Sequence, residues 1–292
     1  MPGILVEVRL AWIVALAGCL GGCAALGMAD DGTSVSFGPP GRGALLAGET
    51  LPVAGDGYRM PPTWARRGLH HGTAELVAFV VHLGRALQPV GLGRPLAVAD
   101  LSPQRGGRSA WHRSHQTGRD VDLIFFARDG AGRPVVADAM RRFGADGAVL
   151  PGAGSPGVHF DDRANWALVR AILENPVADV QYVFVADDLK QRLLEAARAE
   201  AAPAELIAAA AELLRQPSRG LLHDDHMHVR LYCAPGDLPH GCAEVGPLRW
   251  FKKGYKYRAG RLRRAAQALA AGLPGVGACA PPGLPVRGLV SR

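Results

Sequence analysis

The chain has 292 residues, enough for one large domain or two small ones, and 48% of them are hydrophobic, which excludes an intrinsically disordered protein. Its 38 glycines and 22 prolines predict many loops between short elements. The formal net charge is +7, and Lys252, Lys253, Lys256, Arg258, Arg261, Arg263 and Arg264 account for that whole excess, so the basic character is local.

Residues 1–29 read as a targeting segment. Arg9 precedes an apolar run from Leu10 to Leu26 that is too short and glycine-rich for a confident spanning helix. Leu16-Ala17-Gly18-Cys19 resembles the bacterial lipoprotein processing box, and Leu20-Gly21-Gly22-Cys23 resembles it again. Lipid anchorage to the membrane, ordinary secretion and an uncleaved anchor are the three readings, and each predicts export. The expected place is the periplasm, with outer-membrane anchorage in the lipoprotein case. Export argues against nucleic acid as a partner and permits disulfides. Cys233 and Cys242 flank Pro235, Gly236 and Pro239 and are expected to close a small disulfide loop, which leaves Cys279 over.

Residues 30–56 read as a linker or extended lead-in, 57–250 as the main domain, and 251–292 as a basic tail suited to an anionic wall or membrane surface, or simply to solvent. From Thr73 to Gln88 the apolar positions Leu76, Phe79, Val80, Leu83 and Leu87 predict an amphipathic helix. Residues 95–101 and 119–126 predict strands, and glycine-rich 144–157 a loop. A helix is expected to begin at Asp162, capped by Asp161 or Asp162 itself. A strand follows at 180–185, then helices at 189–199 and 204–214 and a last strand at 226–233. Without a strict βαβ repeat or a glycine-rich phosphate loop, the expected class is α+β, a mainly antiparallel sheet with flanking helices.

Two segments carry the chemistry. Ser114–Asp122 reads SHQTGRDVD and His223–Arg230 reads HDDHMHVR. In a strand, side chains alternate faces, so His226, His228 and Arg230 share one face while Met227, Val229 and Leu231 share the apolar one. Asp120 and Asp122 likewise share a face, and Gly118 allows His115 to fold back toward Asp122. Two histidines and a carboxylate form a normal catalytic zinc set with one position open for water, and imidazoles favour zinc over calcium or magnesium. The ligands expected are His115, Asp122 and His228. His226 and His223 are then left beside the ion, where a neutral imidazole can accept a proton and later return it. Arg230 can bind a substrate carboxylate or form a structural ion pair. Trp111 can stack on substrate or pack at the rim, and Asp120 can bond a ligand histidine or cap a turn. Asp224 and Asp225 read as turn residues, and Ser109 and Ser114 as loop hydroxyls.

Together these motifs resemble the penicillin-insensitive murein endopeptidases, within the wider group of zinc peptidases that includes lysostaphin-type enzymes, D-Ala-D-Ala peptidases and hedgehog domains. The resemblance runs from about Gly57 to Cys242 and includes Gly106-Gly107-Arg108 and the VQYVFV strand. It implies zinc held by His115, Asp122 and His228, catalytic roles for His226 and His223, and a metal-associated role for His112. The family's accessory metal residues have His159 and Asp161 as their nearest counterparts, after a loop that departs from the pattern. The resemblance implies peptidoglycan as substrate, with hydrolysis of D-alanyl-meso-diaminopimelyl cross-links and no acylated serine. The alternatives are a zinc D,D-carboxypeptidase of the same group and a non-catalytic wall-binding protein; the complete histidine set argues against the latter.

Overall fold

A computed structural model describes residues 33–246 except Arg219. The targeting segment with Cys19 and Cys23, the tail from Lys252 onward and Cys279 lie outside the described residues. Helices and short strands are mixed, as the α+β expectation holds, and most strand pairings are antiparallel. No described helix is long and apolar enough to cross a membrane.

The centre is a four-stranded sheet of β1 (Asp120–Ile124), β2 (Val180–Phe184), β3 (Leu214–Arg215) and β4 (His226–Leu231), in the order β3-β2-β4-β1. β4 pairs antiparallel with both β1 and β2, while the edge pair β2–β3 is parallel. Residues directly opposite each other across the antiparallel pairs share a face. One face therefore collects Val121, Leu123, Met227, Val229, Leu231 and Val183, all buried in the hydrophobic core. The other collects Asp120, Asp122, His226, His228, Arg230, Tyr182 and Phe184. The alternation expected for the last strand is present, and it divides core from site.

Four helices of ten residues or more pack around the sheet among the described residues. α1 (Ala74–Leu87) starts at Thr73, whose hydroxyl accepts from the Leu76 amide, and buries Leu76, Phe79, Val80, Leu83 and Leu87. α2 (Asp162–Glu174) is capped by the Asp161 carboxylate accepting from the Ala164 amide. It carries the fully buried Trp166 and packs on α1, on α3 (Asp187–Ala199) and on α4 (Ala204–Leu213). Asp187 and Asp188 stand in the first turn of α3, and Ala186 is the cap residue without a side-chain bond. Their charges there still oppose the helix dipole favourably. The strand expected at 95–101 is regular only at Leu96–Ala97, because Val98 and Ala99 bond irregularly to the Arg59 carbonyl and to β1.

Residues 33–56 of the lead-in are extended and paired into the domain. Val35–Phe37 pairs with Ala44–Leu46, Glu49–Thr50 pairs with His71–Gly72, and Leu51 is fully buried. The Ser36 amide donates to Asp237 inside the loop that the Cys233–Cys242 disulfide closes. Buried Arg119 ties the same region together, donating to the Ser36 hydroxyl, the Leu231 carbonyl and the Ala243 carbonyl. Apolar spacing carries little of this, because the docking bonds run between polar groups far apart in sequence.

Asn165 on α2 replaces a strand partner for Phe126: its amide oxygen accepts from the Phe126 N–H, and its amide nitrogen donates to the Phe126 and Asp161 carbonyls. Asn165→Leu would strand a buried N–H and C=O, a loss of about 2–4 kcal/mol expected as a lower urea midpoint.

Candidate metal centre

The β1–β4 register places His228 opposite Asp122 and Arg230 opposite Asp120. His115 reaches the same point from the loop before β1. Its backbone is left-handed (φ 62°), as is that of His223 (φ 58°), a conformation of order 1–3 kcal/mol above the common one that persists where surrounding bonds over-determine it. Gly118 makes the return possible: at φ 75° a Cβ there would lie 2.7 Å from a Leu45 methyl and 3.0 Å from the Thr73 nitrogen.

Three donor atoms converge. His115 Nε2 lies 3.3 Å from Asp122 Oδ1 and 3.2 Å from His228 Nδ1, and His228 Nδ1 lies 3.0 Å from Asp122 Oδ1. The opposite ring nitrogens are already engaged. His115 Nδ1 is 2.8 Å from the Leu101 carbonyl, so it carries the proton and donates. His228 Nε2 is 2.9 Å from Asp120 Oδ1 and does the same. Each imidazole therefore turns a lone pair inward, toward the other and toward a carboxylate oxygen. Three acceptors this close repel one another unless a cation or proton lies between them. Zinc bonds of about 2.0–2.2 Å in a tetrahedral arrangement separate ligand atoms by roughly 3.3–3.6 Å, so the observed spacings fall at or just below that range. Asp122 Oδ2 is buried without a hydrogen-bond partner, a further donor facing the cluster. The residues present fit a divalent ion.

The remaining histidines surround this point. His226 Nε2 is 3.4 Å from Asp122 Oδ1, and its Nδ1 donates to Asp225 at 2.6 Å. His223 donates from Nδ1 to the Leu221 carbonyl at 2.9 Å, and its ring lies 5.0 Å from that of His226. His112 stacks on His115 at 4.2 Å, bonds through Nε2 to Asp100 at 2.8 Å and holds Nδ1 3.8 Å from Asp122 Oδ2. Ligand atoms of His112, His115 and Asp122 form one close group, and those of His223, His226 and His228 form another.

Arg230 does not face open space. Its guanidinium is buried, paired with Asp120 and donating to the Tyr182 hydroxyl, which is the ion-pair alternative of the sequence reading. Trp111 is 59% exposed at the rim, with the Arg67 guanidinium 4.0 Å from its ring centre; Arg67 in turn pairs with Asp100 at 2.6 Å. His159 lies on a strand pairing with Ala127–Arg128, and Asp161 caps α2 and pairs with Arg94, so neither joins the cluster. The Ser109 hydroxyl accepts from the Trp111 and His112 amides, the work of a turn. Sequence reading missed Asp225 and Asp100. The first had a signal, since it adjoins His226; the second lies twelve residues before its histidine, and only the fold joins them.

Burial would raise Asp120 and Asp122, but Arg230 and His228 beside the first, and His115 and His226 beside the second, hold both well below the usual carboxylate range. Burial would lower His226, yet Asp122 and Asp225 push it up to about 10. His223 is lowered to about 4 by burial and by the neighbouring His226 and His228.

The family model for penicillin-insensitive murein endopeptidases matches residues 36–250. A penicillin-insensitive murein endopeptidase from Klebsiella pneumoniae is 29% identical over 221 residues, covering 74% of this chain and 72% of that protein. Proteins of the same description from Salmonella paratyphi A and Escherichia coli O1:K1 are 30% and 29% identical over 214 residues, covering 71% of this chain and 69% of each relative. This chain belongs to the penicillin-insensitive murein endopeptidase family, a family of peptidases.

Three site histidines set a pH profile for the metal-free protein: His223 is lowered, while His226 and, against its burial, His228 beside Asp120 and Asp122 are raised. Between about 4 and 6.5 the unfolded chain binds more protons at position 223, so stability falls as pH drops through that window. Between 6.5 and about 10 the folded chain binds more at position 226, so stability falls as pH rises. Melting temperature in chelator should peak near pH 6.5 on their account, and His226→Ala should make the alkaline limb shallower while His228 keeps part of it.

Proposed function

We propose that the chain is a zinc metallo-endopeptidase that hydrolyses the D-alanyl-meso-diaminopimelyl cross-links of peptidoglycan, on a lysostaphin/D-Ala-D-Ala-peptidase/hedgehog-type core. The observation that carries this reading is the convergence of two imidazole lone pairs and one carboxylate oxygen within 3.0–3.3 Å, each imidazole fixed in orientation from behind. His115, Asp122 and His228 would hold the ion, with His112 beside it. When bound, zinc supplies a Lewis acid that polarises the scissile carbonyl and makes water acidic enough to attack near neutral pH.

The chain's own groups handle the protons. His226 presents Nε2 to the cluster while Asp225 grips Nδ1, which suits it to take a proton from the attacking water and deliver it to the leaving amine. Beside a bound divalent charge, His226 would lose its proton more readily than in the metal-free protein, where it is raised to about 10. His223, kept neutral, offers Nε2 as an acceptor on the same side of the cleft. Trp111 on its Arg67 support is the apolar surface at the rim for a stem peptide. Arg230 acts from behind the site rather than on substrate. A water nucleophile leaves no acyl-serine for a β-lactam to mimic, consistent with the description of the relatives as penicillin-insensitive. A cross-linked wall substrate places the mature protein in the periplasm, and the lipoprotein-like cysteines would tether it to the membrane there.

Incubation with purified sacculi should convert cross-linked muropeptide dimers to monomers, and a chelator should stop it. Loss of terminal D-alanine with dimers intact would favour the carboxypeptidase and sink the endopeptidase reading. His228→Ala should abolish both bound zinc and turnover. His226→Ala should keep zinc near one equivalent while lowering turnover by about 10²–10⁴-fold, the usual contribution of a positioned acid–base group.

A further inference from the structure

We propose that Asp120 is a positioning residue that sets both imidazole ligands of the centre with one buried carboxylate; this rests on the assignment of His115 and His228 as ligands. Asp120 is fully buried, and its two oxygens are divided between the two histidines. Oδ1 accepts from His228 Nε2 at 2.9 Å, so the proton stays on Nε2 and the Nδ1 lone pair faces the ion. Oδ2 accepts from the His115 backbone N–H at 3.3 Å. That bond holds the loop at the residue whose backbone is left-handed, while the Leu101 carbonyl fixes the His115 ring. Two ligands contributed by a loop and by a strand more than a hundred positions later are thus registered to a single group.

The same carboxylate is itself held. Arg230, opposite it in the strand register, pairs with Oδ1, and the Tyr182 hydroxyl on the next strand receives a second guanidinium bond. A buried carboxylate with one partner removed leaves an uncompensated charge, which is strongly destabilising. Arg230 therefore gives Asp120 a buried counter-charge while Oδ1 still accepts from His228 and Oδ2 from the His115 amide. The order Asp120–Val121–Asp122 puts the positioning carboxylate and the ligand carboxylate on one strand face, a strand repeat apart. In this arrangement the centre is preorganised before an ion enters, and the entropy of fixing two imidazoles is spent on folding rather than on metal binding.

The test measures zinc affinity by chelator competition, the visible spectrum of the cobalt-substituted protein, and the melting temperature of the metal-free protein. Asp120→Asn should weaken zinc by about 10–100-fold and alter the cobalt band positions. The pair Asp120→Leu with Arg230→Met removes both buried charges together, so that the fold is not left with an unpaired ion, and should show at least the same loss. A folded variant of either kind that binds zinc as tightly as the parent, with an unchanged cobalt spectrum, overturns the proposal. So does a collapse of the metal-free melting temperature in both, which would make Asp120 a stability residue. Failure of the underlying ligand assignment reads differently: the parent would bind no zinc, or His228→Ala would retain it.

Discussion

His228 lies opposite Asp122, and Arg230 opposite Asp120, because β4 and β1 pair in one register and no other. A slip of one residue would turn His226, His228 and Arg230 into the core and expose Met227, Val229 and Leu231 to the cleft. Burial of that apolar face enforces the register, so the hydrophobic effect aligns the donor atoms. The site then inherits its spacing from the sheet, and the loop carrying His115 needs only to close the third side. Gly118 and the Asp120 carboxylate do that, one by allowing the return of the chain and the other by receiving its amide.

Around this register the polar groups form a closed set of contacts. Each site histidine has one ring nitrogen on a carbonyl or carboxylate: Leu101 for His115, Asp120 for His228, Asp225 for His226, Leu221 for His223 and Asp100 for His112. The inner nitrogens are thereby oriented without help from an ion. The cost is a cluster of acceptors and left-handed backbone that is poorly stabilised when metal-free. Such a cluster is what a tightly held cation relieves, and a ligand that binds only the folded state raises its stability.

Much of the domain was legible in the chain. The helix at α1 followed from the spacing of Leu76, Phe79, Val80, Leu83 and Leu87, and an acidic cap of α2 from Asp161 and Asp162, of which Asp161 is the one used. The face division of β4 followed from strict alternation between polar and apolar residues. Local rules carry these because each depends on side chains a few positions apart. The docking of 33–56 was not legible, since Ser36 meets Asp237 and Arg119 through hydrogen bonds that leave no periodic trace.

By itself the sequence determined which residues hold metal-type donors, that a strand would turn His226 and His228 to one side, and which family the two motifs resemble. Residue type and short-range alternation are enough for that. Only the tertiary structure decided that Arg230 points inward to Asp120, that Asp225 and Asp100 stand behind His226 and His112, and that His159 and Asp161 stay apart from the cluster. Those outcomes depend on register between strands distant in the chain and on which buried charge finds a partner. Both are set when the apolar faces close, and neither is written in any local stretch of residues.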